Sequence, residues 1–437
     1  MKPFWTIPLV IAGILLVLEI GLRIYVEAPL RTDFYSSLSR ADIPAMQAQV
    51  GVRAVSGPGW VHLGWVADPQ RETYLIERKA GESWVREGEA RFGSFLVRGS
   101  SGVFRVLVQP RNGQARVLGE VTAPDAGLDS PPMFIPRIAG AWQTLFLPRQ
   151  YGLYINDHTV FQDAEGNWRL IGITSLTNGD YDREVYFAVG VSANFPPANG
   201  MTEQPPVADF GPLAWAPHVI READGYHMFW SPHQLVQMTS PDGITWQDYR
   251  ITMPAPYHKF FRDPMVLKVA DGQWLLYTTA RGAYFSQVDV YQSFDLEHWQ
   301  YIRTALRSGW GSERNSPFAS TESPFVTVYQ GRYYLSLTYN NDSFFPSGLL
   351  LPFKIWLDPS TYNDTLVFHA DNPYDFGEYR GRGRSPSLLT TLTAHAPEIV
   401  HHPETDAWYI TTAGWPWVST LTHGEAAVAP LEWLPAP

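Results

Sequence analysis

Apolar and polar positions alternate along most of the chain, and the one long exception lies at its start. From Phe4 to Leu18 every residue except Thr6 is apolar, and "EIGLRIYV" carries the run to Val26 with Glu19 and Arg23 one helical turn apart. About 20 such residues span the hydrocarbon core of a bilayer. Residues 1–27 are therefore expected to form a transmembrane helix, an uncleaved signal anchor. A cleaved signal peptide is the rival reading, but the best small-x-small site ends at Ala28 and runs at once into Pro29. In either case the rest of the chain is expected outside the cytoplasm, periplasmic or extracellular: held at the membrane through the N-terminal helix, or secreted if that segment is cleaved.

Residues 28–56 contain a short amphipathic stretch, "DFYSSLSRADIPAMQAQV", expected to be a linker helix. Over 57–125 the period changes to two. Val61, Leu63 and Trp65 alternate with polar neighbours, as do Phe104, Val106 and Val108, and turns at Asp-Pro and Gly-Ser interrupt them at short intervals. That pattern predicts a small antiparallel β-sandwich. Its order of parts, with Trp65 on an early strand, "TYLIER" on the next and "GVFRVLV" late, resembles a fibronectin type III module, with Phe104 where such modules often carry Tyr. The resemblance implies a spacer or a binding module.

From about Pro131 to Pro437 one pattern recurs five times: "NDHTVFQDAEGNWRLIGI" from Asn156, "WAPHVIREADGYHMFW" from Trp215, "RDPMVLKVADGQWLLYT" from Arg262, "ESPFVTVYQGRYYLSL" from Glu322 and "HAPEIVHHPETDAWYIT" from His395. Each unit has a polar or charged residue, usually near a proline. A short apolar strand, a turn and an aromatic second strand follow. The units are far enough apart for four strands each, which predicts a five-bladed β-propeller over 131–437. The fold class is thus all-β: propeller, N-terminal sandwich and N-terminal transmembrane helix.

Composition agrees. With 14% aromatic and 17% charged residues the chain is rich in ring surface and poor in ion-pair material, which suits strands better than helices. A net charge of −11 speaks against a nucleic-acid partner, which requires a basic patch. The lack of cysteine excludes disulfides and thiolate metal sites.

In a propeller the innermost strand of each blade lines a central channel, so the five motif openings converge at one face. They carry Asp157, His218, Asp263, Glu322, His395 and Glu398. Three carboxyls in one funnel meet the needs of glycoside hydrolysis: one group protonates the leaving oxygen, another activates water or attacks the anomeric carbon, and a third tunes them.

The repeat resembles the five-bladed furanosidase-type glycoside hydrolases, families 32, 43 and 68, across the region from Pro131 to Pro437. The resemblance implies Asp157 as nucleophile or base, Asp263 in Arg-Asp-Pro as transition-state stabiliser with Arg262 as a sugar ligand, and Glu322 in "STESPFV" as general acid. It implies β-fructofuranosides or α-arabinofuranosides, in oligo- or polysaccharides, as substrates. The chain departs from the invertase pattern with His158-Thr159 in place of Pro-Asn-Gly and Ser323 in place of Cys, and from many family 43 members with His218 in place of Asp.

Asn156, Arg262, Trp215, His218, His395 and Glu398 are the candidate substrate-binding residues, with Tyr257 a further stacking candidate and His258 read as loop. The channel histidines could line a central calcium or water site; no other cofactor is expected. His401 and His402 read as a solvated turn. Two other functions use the same scaffold: a non-catalytic carbohydrate-binding propeller, and a glycosyltransferring or phosphorolytic enzyme that would hold phosphate with Arg307 and Arg314.

Overall fold

The computed structural model describes residues 36–99, 101–177, 181–207, 213–231, 234–253, 260–281, 286–308, 320–340, 361–381 and 384–437. The apolar run of residues 1–27, and with it the expected transmembrane helix, lies outside them, as do Tyr257, His258 and Arg314. Among the described residues no helix is long and apolar enough to cross a membrane.

Their one α-helix, Ile43–Val50, has proline in its first turn and stops at Gly51, whose φ of 62° a side chain would resist. It buries Ile43 and Val50 in a small cluster with Leu38 and Val66, and the amide of buried Gln47 donates to the Val66 carbonyl at 3.2 Å and to Glu72 at 2.9 Å. The next strand, Val52–Gly57, already pairs with Trp60–Trp65. The linker is therefore shorter than expected, because alternation at Val52, Ala54 and Ser56 belongs to the sandwich.

That sandwich consists of a three-stranded sheet, Val52–Gly57, Trp60–Trp65 and Ser94–Arg98, and a four-stranded sheet ordered Ser83–Ala90, Glu72–Ala80, Gly102–Pro110, Arg116–Ala123. Inward residues of both, Leu63, Trp65, Tyr74, Ile76, Phe104 and Val106 among them, share one core. The sandwich is docked tightly on the third blade of the propeller. Gln300 exchanges two hydrogen bonds of 2.9 Å with the backbone N–H and carbonyl of Ala67, as a neighbouring strand would. Gln292 donates to the carbonyls of Trp65 and Gly93. The His62 ring stacks on Tyr374 at 3.7 Å, and burial pushes its pKa down to about 3, so it serves as a neutral packing ring.

Five further sheets of antiparallel strands follow in chain order. Their innermost strands are His158–Gln162, Trp215–Glu222, Phe260–Ala270, Ser320–Tyr329 and Ile399–His402, which are the five sequence units. The third sheet gains a short parallel strand, Gly377–Tyr379. The fifth is completed from the far end of the domain: Phe134–Ile138, which precedes the first blade, pairs with Ala426–Pro435, the last strand. Neighbouring blades are stitched at the axis by Val219 N–H to Thr159 Oγ1, Ala396 N–H to Thr338 Oγ1, and His158 Nε2 to Thr411 Oγ1. His402, expected in a solvated turn, is buried with its ring against Trp168; His401 stays at the surface, paired with Asp406.

Candidate functional site

Four of the five innermost strands begin with the same local event. Ala216, Asp263, Ser323 and Ala396 each precede a proline and each has positive φ, at 49°, 57°, 51° and 45°. In blades two, three and four the pairing register skips at that point, from Trp215 to His218, Arg262 to Met265 and Glu322 to Phe325. A proline cannot donate to the ladder, so it sits on an edge strand at a bulge. A left-handed backbone at a residue with a side chain costs roughly 1–3 kcal/mol and persists only where the surroundings enforce it. Here neighbouring blades do so. The N–H groups released by the bulge are taken across the blade boundary: Asp263 N–H by Ser231 Oγ at 3.0 Å, Ser323 N–H by Asp263 Oδ2 at 3.0 Å.

The bulge aims successive side chains at the axis in two tiers. In the deeper tier the hydroxyl of Ser323 donates to Asp157 Oδ1 while its backbone N–H holds Asp263, so that one residue of blade four joins the carboxyls of blades one and three. One residue earlier in each motif stand Asn156, Trp215, Arg262, Glu322 and His395. Of these, Arg262 Nη2 lies 2.8 Å from Glu322 Oε1, and its Nη1 lies 3.4 Å from Asp263 Oδ2. The structure thus brings Asp157, Asp263, Glu322 and Arg262 into one cluster.

Its electrostatics follow from burial. Desolvation raises the pKa of Asp157 and of Asp263; Glu322 reinforces both rises and Asp157 that of Asp263, while Arg262 and hydrogen bonds from Ser323 oppose them. Arg262 in turn is held firmly charged by the three carboxyls, which outweigh its own desolvation. One guanidinium cannot offset three buried negative charges, so the cluster favours retaining a proton. A retained proton beside an ionised carboxylate is the raw material of general acid catalysis.

Beside the carboxyls is an aromatic wall. The Nδ1–H of buried His395 donates to the Tyr362 carbonyl at 2.8 Å, and burial lowers its pKa, so the ring is neutral; its Nε2 has no partner among the described residues. That leaves an acceptor lone pair for a hydroxyl. Tyr362 stacks on His395 and its hydroxyl reaches Asn156 Oδ1 at 3.4 Å.

Behind the wall sits Glu184, fully buried, which sequence reasoning missed. Its Oε1 accepts from Tyr154 at 2.7 Å and from the indole of Trp415 at 2.9 Å. Burial pushes Glu184 up to about 7 against the lowering effect of these donors and of Trp215. It occupies an irregular segment of blade one with no motif around it; the only signal was that it is the last of three acids, Asp180, Asp182 and Glu184, before the apolar run "VYFAVGV".

His218 and Glu398 lie further along the channel and are committed to the protein. Glu398 Oε2 accepts the Val160 N–H at 2.8 Å and its Oε1 faces His218 Nδ1 at 3.5 Å, while His218 Nε2 meets the Val266 carbonyl at 3.2 Å. They tie blades five, one, two and three around a cavity of about 30 Å³ walled by Pro217, Pro264, Pro324 and Pro397, room for about one water. Among the described residues no three acids or histidines are placed to hold a metal ion. Arg307 pairs by backbone with Glu378 at the rim of blade three.

Residues 220–315, which run from the second blade through the third and include Arg262 and Asp263, match the model of the glycosyl hydrolases family 32 N-terminal domain. None of the curated proteins matches the chain in sequence. Among solved structures it is similar to a thermostable family-43 glycoside hydrolase (16% identity over 67% of this chain and 98% of that one, TM-score 0.46). It is also similar to an α-L-arabinanase of Penicillium chrysogenum (13% identity, 69% and 98%, TM-score 0.44) and a family 32 β-fructofuranosidase of Bombyx mori (13% identity, 69% and 62%, TM-score 0.47). The family match bears out the resemblance to the furanosidase-type glycoside hydrolases and, with it, the reading of the chain as a glycosidase.

Proposed function

We propose that the protein hydrolyses furanosidic bonds, in β-fructofuranosides or α-arabinofuranosides, with Glu322 as general acid, Asp157 as nucleophile or base and Asp263 as stabiliser. The observation that carries this reading is the cluster itself: three carboxyls from three blades, joined by Ser323 and by Arg262, at the mouth of a channel. Glu322 is the most accessible of the three, as the group that protonates a leaving oxygen should be. As the bond between the anomeric carbon and that oxygen breaks, the Glu322 proton passes to the oxygen. Asp157 either forms a bond to the anomeric carbon, which a water then displaces as Glu322 takes its proton back from that water, or itself takes a proton from the water that attacks directly. Asp263 remains to balance positive charge on the ring and on Arg262, whose guanidinium is placed to face a sugar hydroxyl.

Further features support finer readings. The strand order of the two sandwich sheets, with the Trp65 and Tyr74 rings 5.3 Å apart at their centre, supports a fibronectin type III-like module. The apolar run from Phe4 supports an exported enzyme held at a membrane.

The test is release of reducing sugar from sucrose, inulin, levan, arabinan and arabinoxylan, with Glu322→Gln and Asp157→Asn in parallel. Turnover on one of these, lost by at least a thousand-fold in both folded variants, is the expected result. A folded protein that binds these glycans without cleaving any would make it a binding propeller instead, and turnover that survives in both variants would remove the assigned roles.

A further inference from the structure

The rings of His395, Tyr362, Trp415 and Trp417 form a single file that leads away from the carboxyls. His395 and Tyr362 lie 3.8 Å apart at 13°, Tyr362 and Trp415 6.4 Å at 19°, Trp415 and Trp417 5.6 Å at 13°. Accessibility rises along it, from His395 at 0% to Trp417 at 40%. Each inner ring is also tethered by a polar bond: His395 to the Tyr362 carbonyl, the Tyr362 hydroxyl to the Trp415 N–H at 3.2 Å, the Trp415 indole to Glu184. Tyr154, held by the same Glu184 oxygen, meets Trp417 edge to face at 5.4 Å. One buried carboxyl therefore anchors both supports of an exposed tryptophan.

The topology places the file on the substrate side. The strand Ala407–Thr412 runs antiparallel to Ile399–His402, so the turn after it, which carries Trp415 and Trp417, emerges at the face where the motif openings lie. Two more exposed apolar residues flank the Tyr154 support: Leu153 (44%), which precedes Tyr154 and whose N–H donates to the Ser175 carbonyl, and Leu176 (63%), which follows Ser175. This tryptophan is fixed by Trp415 and Tyr154 and left open at the surface. Apolar ring faces of this kind receive the C–H faces of sugars.

We propose that Trp417 forms an outer sugar-binding position, so that the substrate is a chain of several sugars with one furanose at the carboxyl cluster and a more distant unit on the tryptophan. This rests on the hydrolase reading and adds the length of the substrate to it. Trp417 acts by binding alone and takes no part in bond cleavage.

The experiment compares wild type, Trp417→Ala and Trp417→Phe on an aryl furanoside and on di-, tri- and tetrasaccharides of the fructo- and arabino-series. Binding of the same sugars is measured in a Glu322→Gln background. The expected result is a rise of about ten-fold in KM and in Kd for the longer sugars with Trp417→Ala, no change on the aryl furanoside, and recovery of most of the loss in Trp417→Phe. Equal change on every substrate, or none on any, overturns the proposal while leaving hydrolysis intact. If wild type cleaves nothing yet binds the longer sugars in a Trp417-dependent way, the outer position stands and the hydrolase reading falls. Absence of all binding and turnover removes both.

Discussion

The hydroxyl of Ser323 donates to Oδ1 of Asp157 across 166 residues of chain and from one blade to another. Its position beside Glu322 made it look like a simple departure from the invertase pattern; in the folded protein it sets the environment of the opposing carboxyl. The bond lowers the pKa of Asp157, against the burial that raises it. Ser323→Ala removes the donor, so Asp157 becomes harder to ionise. If Asp157 serves in the proposed role as the ionised partner, the acid limb of kcat/KM moves to higher pH. At a fixed pH on that limb, activity should fall about ten-fold for each pH unit by which the limb moves. A pH profile of Ser323→Ala that superimposes on wild type would show that the bond has no catalytic consequence.

Arg262 is the cation that faces the carboxyl cluster, and its removal should be felt in stability before activity is considered. Asp157 and Asp263 have pKa values above their unfolded ones, so the native state holds more protons than the unfolded chain just above the ordinary carboxylate range. Stability must then decline as pH rises through that window. Arg262 lowers both values, and Arg262→Met therefore steepens the decline. Breaking a buried charge pair from one side costs about 3–5 kcal/mol. Urea unfolding at acid and alkaline pH should show the variant losing most at the alkaline end; a pH-independent loss would argue that Arg262 contributes packing alone.

Glu184 makes the same argument in isolation. Its pKa rises from 4.5 to about 7, so its contribution to stability is fully present below 4.5 and is lost as pH climbs through 7. At about 1.4 kcal/mol per pH unit the span is up to about 3 kcal/mol. Glu184→Gln keeps an acceptor for Tyr154 and Trp415 and abolishes the titration, so the difference in melting temperature between variant and wild type should grow in the variant's favour from pH 4.5 to 8. Glu184→Ala should instead destabilise at every pH by about 1–3 kcal/mol for each donor stranded.

The sandwich should melt together with the propeller. Gln300→Leu strands the buried N–H and carbonyl of Ala67, and Gln292→Leu takes a donor from the carbonyl of Trp65 and from that of Gly93, which keeps the Trp65 N–H at 3.0 Å. Each is expected to cost about 2 kcal/mol or more. Calorimetry should show one transition in wild type and two in the double variant. Two transitions in wild type would mean the amide bridges do not couple the units.

The repeated units were legible because four of the five blades open on a positive-φ residue before a proline, with a bulge at that point in blades two, three and four, and that chemistry leaves similar letters each time. The carboxyls at Asp157, Asp263 and Glu322 stood in those letters. Other features were hidden for physical reasons. The pairing of Phe134–Ile138 with the last strand joins residues that no local pattern connects. Glu184 matters through three donors from distant segments, so its own neighbourhood is silent. His218 and Glu398 read like substrate ligands because they share the motif's phase, yet two positions past the bulge the channel has narrowed, and the two side chains meet each other. Trp417 was one tryptophan among seventeen, and only its place at the end of a file of rings distinguishes it.

The junction of Phe134–Ile138 with Ala426–Pro435 sets an order in time. Until residue 435 has been made, the strand at 134 is an unpaired edge, and the fifth blade, which bears His395 and abuts the blade of Asp157, has no outer wall. Entropy of joining such distant segments grows only slowly with length, by about 0.6 kcal/mol per doubling. What the junction controls is when the pocket can be complete: blades one to four can pair locally as they emerge, whereas the ring of blades around the carboxyls closes only once the last strand has been made.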